Sequence, residues 1–201
     1  MLRSLYVEHF GDREYISMQI YLVGGAVRDQ LLGLDVHERD WLVTEGDHDA
    51  LLAAGFAQVG KDFPVYLHPQ THEEHALPRG GGTGLESLLD DLRRRDLTIN
   101  GLELGSDDQL IDPCGGYADL QQRWLRPTAY FFDDPIRILR LARFAARFHG
   151  LGFKVVPEAI ETIAQRVSEG ILDELVAERV FQEIDKAMGT QRPDIFIQTL
   201  R

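Results

Sequence analysis

Glu38 and Asp40, two positions apart, are the side chains in this sequence whose type and spacing most plainly invite chemistry. On a strand both carboxylates point to one face, and clustered carboxylate oxygens are the donors that Mg²⁺ prefers. Upstream stand Gly24 and Gly25, followed by Arg28. Two glycines let the backbone approach a ligand with no Cβ in the way. A helix that starts there directs free N–H groups into the same space, an arrangement that favours an anion, above all phosphate. Arg28 adds a planar cationic fork in the first turn. A phosphate cradle next to a carboxylate pair suits two Mg²⁺ ions bridging a nucleoside triphosphate.

These residues need a strand, a turn, a helix and a second strand to hold them. Tyr21-Leu22-Val23 is a short apolar run of β-type residues ended by the two glycines. The helix is expected over residues 26–32, with Gly33 stopping it, and the second strand from Asp40 to Val43. A helix over 47–54 and strands over 56–59, 63–67 and 74–77 complete a small mixed sheet. His68, His72 and His75 invite a zinc reading, but His72 and His75 are three apart, one short of the H-E-x-x-H helix spacing. Pro69 and Pro78 also discourage a helix there, so the histidines are not read as a metal site. Residues 80–84, Gly-Gly-Gly-Thr-Gly, read as a flexible connector. A helix over 85–92 then opens into Arg93-Arg94-Arg95-Asp96-Leu97-Thr98-Ile99-Asn100.

A longer helix begins after Asp133-Asp134-Pro135 and runs over 136–148, with Asp before Pro as an ordinary helix start. Arg137, Arg140, Arg143 and Arg147 step by three, three and four, which places them on one face. Such a stripe wants anions: phosphate on one reading, carboxylates of neighbouring helices on the other. Residues 157–167, 173–188 and 193–200 show apolar residues at helical spacing. The fold class is therefore α+β, a small mixed sheet followed by helices.

At 201 residues the chain is long enough for one domain with a real core or a domain with an appendage. The single Cys114 excludes an internal disulfide, and no signal peptide or membrane-length apolar run is visible, which together point to a cytoplasmic chain. A net charge of −12 argues against nucleic-acid binding over the whole surface, so any RNA contact must come from a local basic patch. Residues 1–17 carry no strand–turn–helix logic and read as an upstream extension or a short outer helix, with Met18 a sensible start.

The wording G-G-A-V-R-D-x-L-L-G followed by E-x-D resembles the nucleotidyltransferases related to DNA polymerase β, and most closely the bacterial CCA-adding enzymes (tRNA nucleotidyltransferases) with their poly(A) polymerase relatives. Four further stretches resemble that family in order: E-x-A-x-x-R at Glu74 to Arg79, R-R-D-x-T-x-N ending at Asn100, D-P-x-x-G-x-x-D-L ending at Leu120, and D-D-P-I-R at residues 133–137. Glu178-Arg179 to Glu183 resembles a further helix motif of the family's neck.

The resemblance implies a polymerase β-like head over 18–127 and a helical neck over 128–201. It implies metal-dependent transfer of CMP and AMP from CTP and ATP to the 3′ end of tRNA. Glu38 and Asp40 would hold Mg²⁺, with Glu74 an acidic neighbour. Gly24, Gly25, Arg28, Arg95, Arg140 and Arg143 would contact the nucleotide phosphates, and Asp134 and Arg137 would read the base edge. Poly(A) polymerase is the near alternative, and a non-catalytic nucleotide-binding or assembly module is the alternative of another class.

Three departures stand out: Glu38 where the family has Asp, a short connector after Arg79, and an end at Arg201 where family members continue. Family members with a reduced connector resemble those that add only two cytidines. The apolar residues Ile195, Phe196, Ile197 and Leu200 need cover, for which a homo-oligomer or further C-terminal domains are expected.

Overall fold

A computed structural model describes residues 3–8, 15–60, 65–105 and 109–201, with side chains from Met18 onward. It divides into two compact units: residues 1–93 with 100–114, and residues 94–99 with 115–201. Both are built as the sequence pattern implies, a mixed sheet in one and helices in the other.

The first unit is an eight-stranded sheet. Its strands are β1 (Arg3–Glu8), β2 (Tyr15–Val23), β3 (Asp40–Val43), β4 (Ala57–Val59), β5 (Val65–Leu67), β6 (Glu74–Ala76), β7 (Glu103–Leu104) and β8 (Leu110–Ile111). The order is β4-β5-β6-β3-β2-β7-β8, and β1 pairs with β2. Of these pairings only β3 with β6 is parallel. Three helices accompany the sheet: α1 (Gly25–Leu31), α2 (His48–Ala53) and α3 (Gly84–Arg93).

Alternation along the strands separates two faces. Tyr21, Val23 and Leu42 pack against Leu88 and Leu92 of α3, with Ile111 beside them. Asp40 is two residues from Leu42 and shares their face. On the other face Trp41 stacks on His75 at 6.0 Å, and Phe56 meets His75 edge-on at 4.9 Å.

Two expectations change here. The segment upstream of Met18 is not a helix: residues 3–8 and 15–17 run as strand β1 and the start of β2. The connector over 80–84 is tied down. Gly81 N–H donates to the Pro78 carbonyl at 3.0 Å, Ser87 Oγ donates to the carbonyls of Gly81 and Gly82 at 3.3 Å, and Gly84 N–H donates to Thr44 at 3.0 Å. The expected strand over 63–67 is seen as β5, with Phe63 and Pro64 outside the described residues.

The second unit holds α4 (Gly116–Gln122), α5 (Ile136–Phe148), α6 (Pro157–Ser168), α7 (Ala177–Met188) and α8 (Pro193–Thr199), with a parallel pair formed by β9 (Trp124–Leu125) and β10 (Lys154–Val155). The helix expected over 173–188 is broken at Leu175, whose backbone is extended between a 3₁₀ turn and α7. Ala142 and Ala146 of α5 pack with Ala187 of α7 and Phe196 of α8, so small side chains let three helices meet closely. At the start of α4 a Cβ on Gly116 would overlap the Thr98 carbonyl, which explains a glycine at that position. Among the described residues no helix is long and apolar enough to cross a membrane.

Candidate active site

One row of the sheet carries most of the acidic chemistry. Register places Glu74 beside Asp40, Asp40 beside Val23, and Val23 beside Glu103. Residues paired across a sheet point to the same face, so Glu74, Asp40 and Glu103 share one. Asp40 and Glu74 are exposed at the open end of that row, whereas Glu103 is fully buried. Burial first, and then the Glu103 carboxylate, raise the Tyr21 phenol above its ordinary value. The motif reading did not reach Glu103, whose two-residue strand has no alternation to find.

Glu38 lies just before β3, exposed, in a segment with no regular structure. The sequence expectation of two carboxylates along one strand thus becomes two carboxylates on adjacent parallel strands, Asp40 and Glu74, with Glu38 in the approach. Among the described residues no three His, Cys, Asp or Glu side chains form a group able to hold a metal ion. His75 is buried on the opposite face from Asp40, and its Nδ1 bonds to the Glu73 carbonyl at 3.0 Å. The neighbouring pair Asp40 and Glu74 supplies the oxygen donors magnesium takes, a hard cation that is held through one or two carboxylates and keeps several waters.

The glycine turn stands at the end of β2, whose last residue pairs with Asp40. Gly24 has φ of 75°, open to glycine and strained for other residues, and its N–H donates to Leu102 at 3.0 Å. Gly25 then starts α1, and Arg28 lies directly against it. The Arg28 guanidinium is 3% exposed, with Nε and Nη2 both 2.8 Å from Asp29 Oδ1 and Nη1 donating to Asn100 Oδ1. Arg28, the cation that the sequence sets beside the glycine turn, is thus held by Asp29 and Asn100. Removing one partner of such a buried pair costs about 3–5 kcal/mol.

In the helical unit the arginine motif is bolted to α5. Arg137 donates through Nη1 to the Tyr130 carbonyl at 2.5 Å and through Nη2 to the Arg94 carbonyl at 2.9 Å. Thr128 Oγ1 donates to the Arg95 carbonyl, and Thr98 Oγ1 to Asp119 at 2.7 Å. Arg140 grips Asp96 through Nε at 2.8 Å and Nη2 at 2.7 Å, and Arg143 Nε donates to Glu183 at 2.6 Å. Two arginines of the stripe, Arg140 and Arg143, thus engage carboxylates, while Arg137 engages backbone carbonyls. Burial would lower the Arg140 guanidinium, but Asp96 and then Glu183 outweigh it and raise it above its ordinary value. For Arg137 burial prevails over Asp96, Asp134 and Asp133, and its guanidinium is lowered.

Asp134 sits on extended backbone before α5 and accepts from both guanidinium nitrogens of Arg179, at 3.1 and 2.6 Å. Burial alone would raise its carboxyl. Hydrogen bonds from Arg179 and from the Ile136 N–H, with the charges of Arg179 and Arg137, hold it below the ordinary aspartate value. Asp96, Arg179, Glu183, Asp29 and Asn100 are the partners that sequence reasoning did not assign. Each sits inside a motif already noticed, but all except Asp29 bond to a residue distant in sequence.

Residues 68–126 match the family model of the poly A polymerase head domain. The multifunctional CCA protein of Vibrio cholerae is 52% identical over 198 residues, an alignment that covers 92% of this chain and 49% of that protein. The chain is related to the bacterial CCA-adding enzymes through their head region. Among solved structures, a CCA-adding enzyme in complex with CTP is 32% identical with a TM-score of 0.74, covering 90% of this chain and 46% of that one. The Thermotoga maritima CCA-adding enzyme complexed with tRNA is 31% identical with a TM-score of 0.72, covering 90% and 45%. The chain spans about half the length of the curated relatives it matches. The α+β class expected from the pattern agrees with these structures.

Proposed function

We propose that this chain carries out nucleotidyl transfer to the 3′ end of tRNA in the cytoplasm, adding CMP from CTP and, in the full CCA form of the reaction, AMP from ATP, its residues 18–127 acting as the catalytic head and 128–201 as a helical neck. The observation that carries the proposal is the pairing of Asp40 with Glu74 on adjacent strands, beside a glycine turn that opens a helix. In the reaction the RNA 3′ oxygen forms a bond to the α-phosphorus, the α–β bridging bond breaks, and pyrophosphate leaves with that electron pair. Asp40 and Glu38, with Glu74 beside them, would hold magnesium. When bound, magnesium supplies a lowered pKa at the attacking hydroxyl and charge neutralisation on the leaving pyrophosphate.

The chain's own part is to bind and orient. The Gly24 and Gly25 turn would offer backbone close to the phosphates, and Arg28, held by Asp29 and Asn100, would add its cation to that cradle. Arg95, Arg140 and Arg143 would clamp the triphosphate, with Asp96 and Glu183 holding the last two in place. Asp134 would accept from the amino group of cytosine or adenine, and Arg137 would donate to a ring nitrogen or carbonyl.

The test is incorporation of labelled CTP and ATP into a tRNA lacking its CCA end, with and without Mg²⁺. Wild-type protein should extend the tRNA only with the metal, and Asp40→Ala should not extend it. A long run of adenosine would favour the poly(A) reading. Binding of CTP with no extension by the wild type would favour the non-catalytic module.

A further inference from the structure

The Asp134 carboxylate is mostly spent before any base arrives. Oδ1 accepts from Arg179 Nη1 at 3.1 Å and from the Ile136 N–H at 3.3 Å, and Oδ2 accepts from Arg179 Nη2 at 2.6 Å. A carboxylate has about four lone-pair sites, two on each oxygen. Both sites on Oδ1 are therefore filled, and one remains on Oδ2. The fork of Arg179 also fixes the plane of the carboxylate, because two parallel N–H···O bonds permit one orientation.

Arg179 is itself delivered rigidly. It stands on α7, where Glu183, 5% exposed, engages Arg143 of α5 at 2.6 Å and Arg140 at 3.8 Å. Further along, Ala187 packs with Ala142 and Ala146 of the same helix. Ion pairs and apolar packing thus set α7 against α5 in one register, and that register brings Arg179 to Asp134.

We propose that Arg179 is a positioning residue for base selection: it turns Asp134 so that a single acceptor site, on Oδ2, faces the incoming base. This rests on the reading of Asp134 as a base-contacting residue. One fixed acceptor takes one amino N–H, as on cytosine or adenine. It repels a carbonyl oxygen in the same place, as on uracil or guanine. Without Arg179 the carboxylate keeps only the single Ile136 N–H bond at 3.3 Å, which does not fix its plane, and it can turn away from a carbonyl that it now rejects. The Arg179 side chain is half-exposed, and exposed ion pairs contribute little to stability, so its removal should leave the fold in place.

The experiment compares kcat/KM for CTP and UTP in the full chain for wild type, Arg179→Met, Arg179→Lys and Asp134→Ala, with thermal midpoints alongside. Competition binding of the two nucleotides is the parallel readout for any variant too slow to assay. The expected result is that Arg179→Met lowers the CTP over UTP preference about tenfold, in line with the discrimination one well-oriented polar contact provides. Arg179→Lys should recover only part of it, because an ammonium cannot fork. The inference is overturned if Asp134→Ala loses the preference while Arg179→Met keeps it within twofold. It is equally overturned if Arg179→Met lowers CTP and UTP in equal proportion, the mark of a structural role. If Asp134→Ala itself leaves the preference intact, the base-contact reading fails, and this inference with it.

Discussion

On the proposed function, Glu38 is the residue whose type and place matter most for rate. It lies in the irregular segment before β3, with an exposed side chain, where the family resemblance leads one to expect aspartate. Its carboxylate stands one methylene further from the backbone, and a misplacement of roughly 1 Å can cost on the order of 10²-fold in rate. Charge and ligand type are unchanged, so affinity should survive. Glu38→Asp is expected to raise the single-turnover rate substantially while nucleotide affinity stays within a few-fold, measured at saturating Mg²⁺. An equal or slower aspartate variant would mean that the segment is built around glutamate.

Asp134 gives a second prediction at this scale. Its folded carboxyl is held below the ordinary value of 3.8. A lowered folded value contributes stability that is fully present above the unfolded value and lost as pH falls through the folded one. Wild type and Arg179→Met should therefore differ in unfolding midpoint above about pH 4 and converge in stronger acid. A difference that persists unchanged into acid would point elsewhere. Residue types were legible in the sequence here, but partners were not. Arg28 reads as a free cation until the fold brings Asn100 to it across 72 positions.

At the scale of elements, the sequence announced what repeats and hid what does not. Helix α5 shows the helical period plainly over its thirteen residues, and the strand–glycine–helix unit around Gly24 was legible from type alone. The two-residue strands β7, β8, β9 and β10 are too short for any alternation and are set by pairing. The connector over 80–84 shows the limit of composition. Its glycines read as slack, yet Ser87 and Thr44 hold it in a defined turn. The resemblance ties a reduced connector to enzymes that add only two cytidines. The expected product of extension therefore stops at two cytidines, which sequencing of product ends would show. A terminal adenosine added at comparable rate would contradict this.

For the whole molecule, charge and sites are reconciled unit by unit. The chain carries a net charge of −12, and the α5 arginines that might have offset it locally are engaged by Asp96 and Glu183. The sheet unit holds the carboxylates and the glycine turn, and the helical unit holds Asp134 and Arg137, the pair proposed to read the base, so on that proposal chemistry and selection are separate properties. Asp40→Ala should abolish transfer, and Asp134→Ala should blur the choice of nucleotide. The most direct measurement supplies all four nucleoside triphosphates with Mg²⁺ to a tRNA lacking its CCA end and sequences what is added. The account predicts that cytidine is added first and far ahead of uridine and guanosine, and that the Asp40→Ala protein adds nothing. Uridine or guanosine incorporated as readily as cytidine, or extension that survives Asp40→Ala, would contradict it.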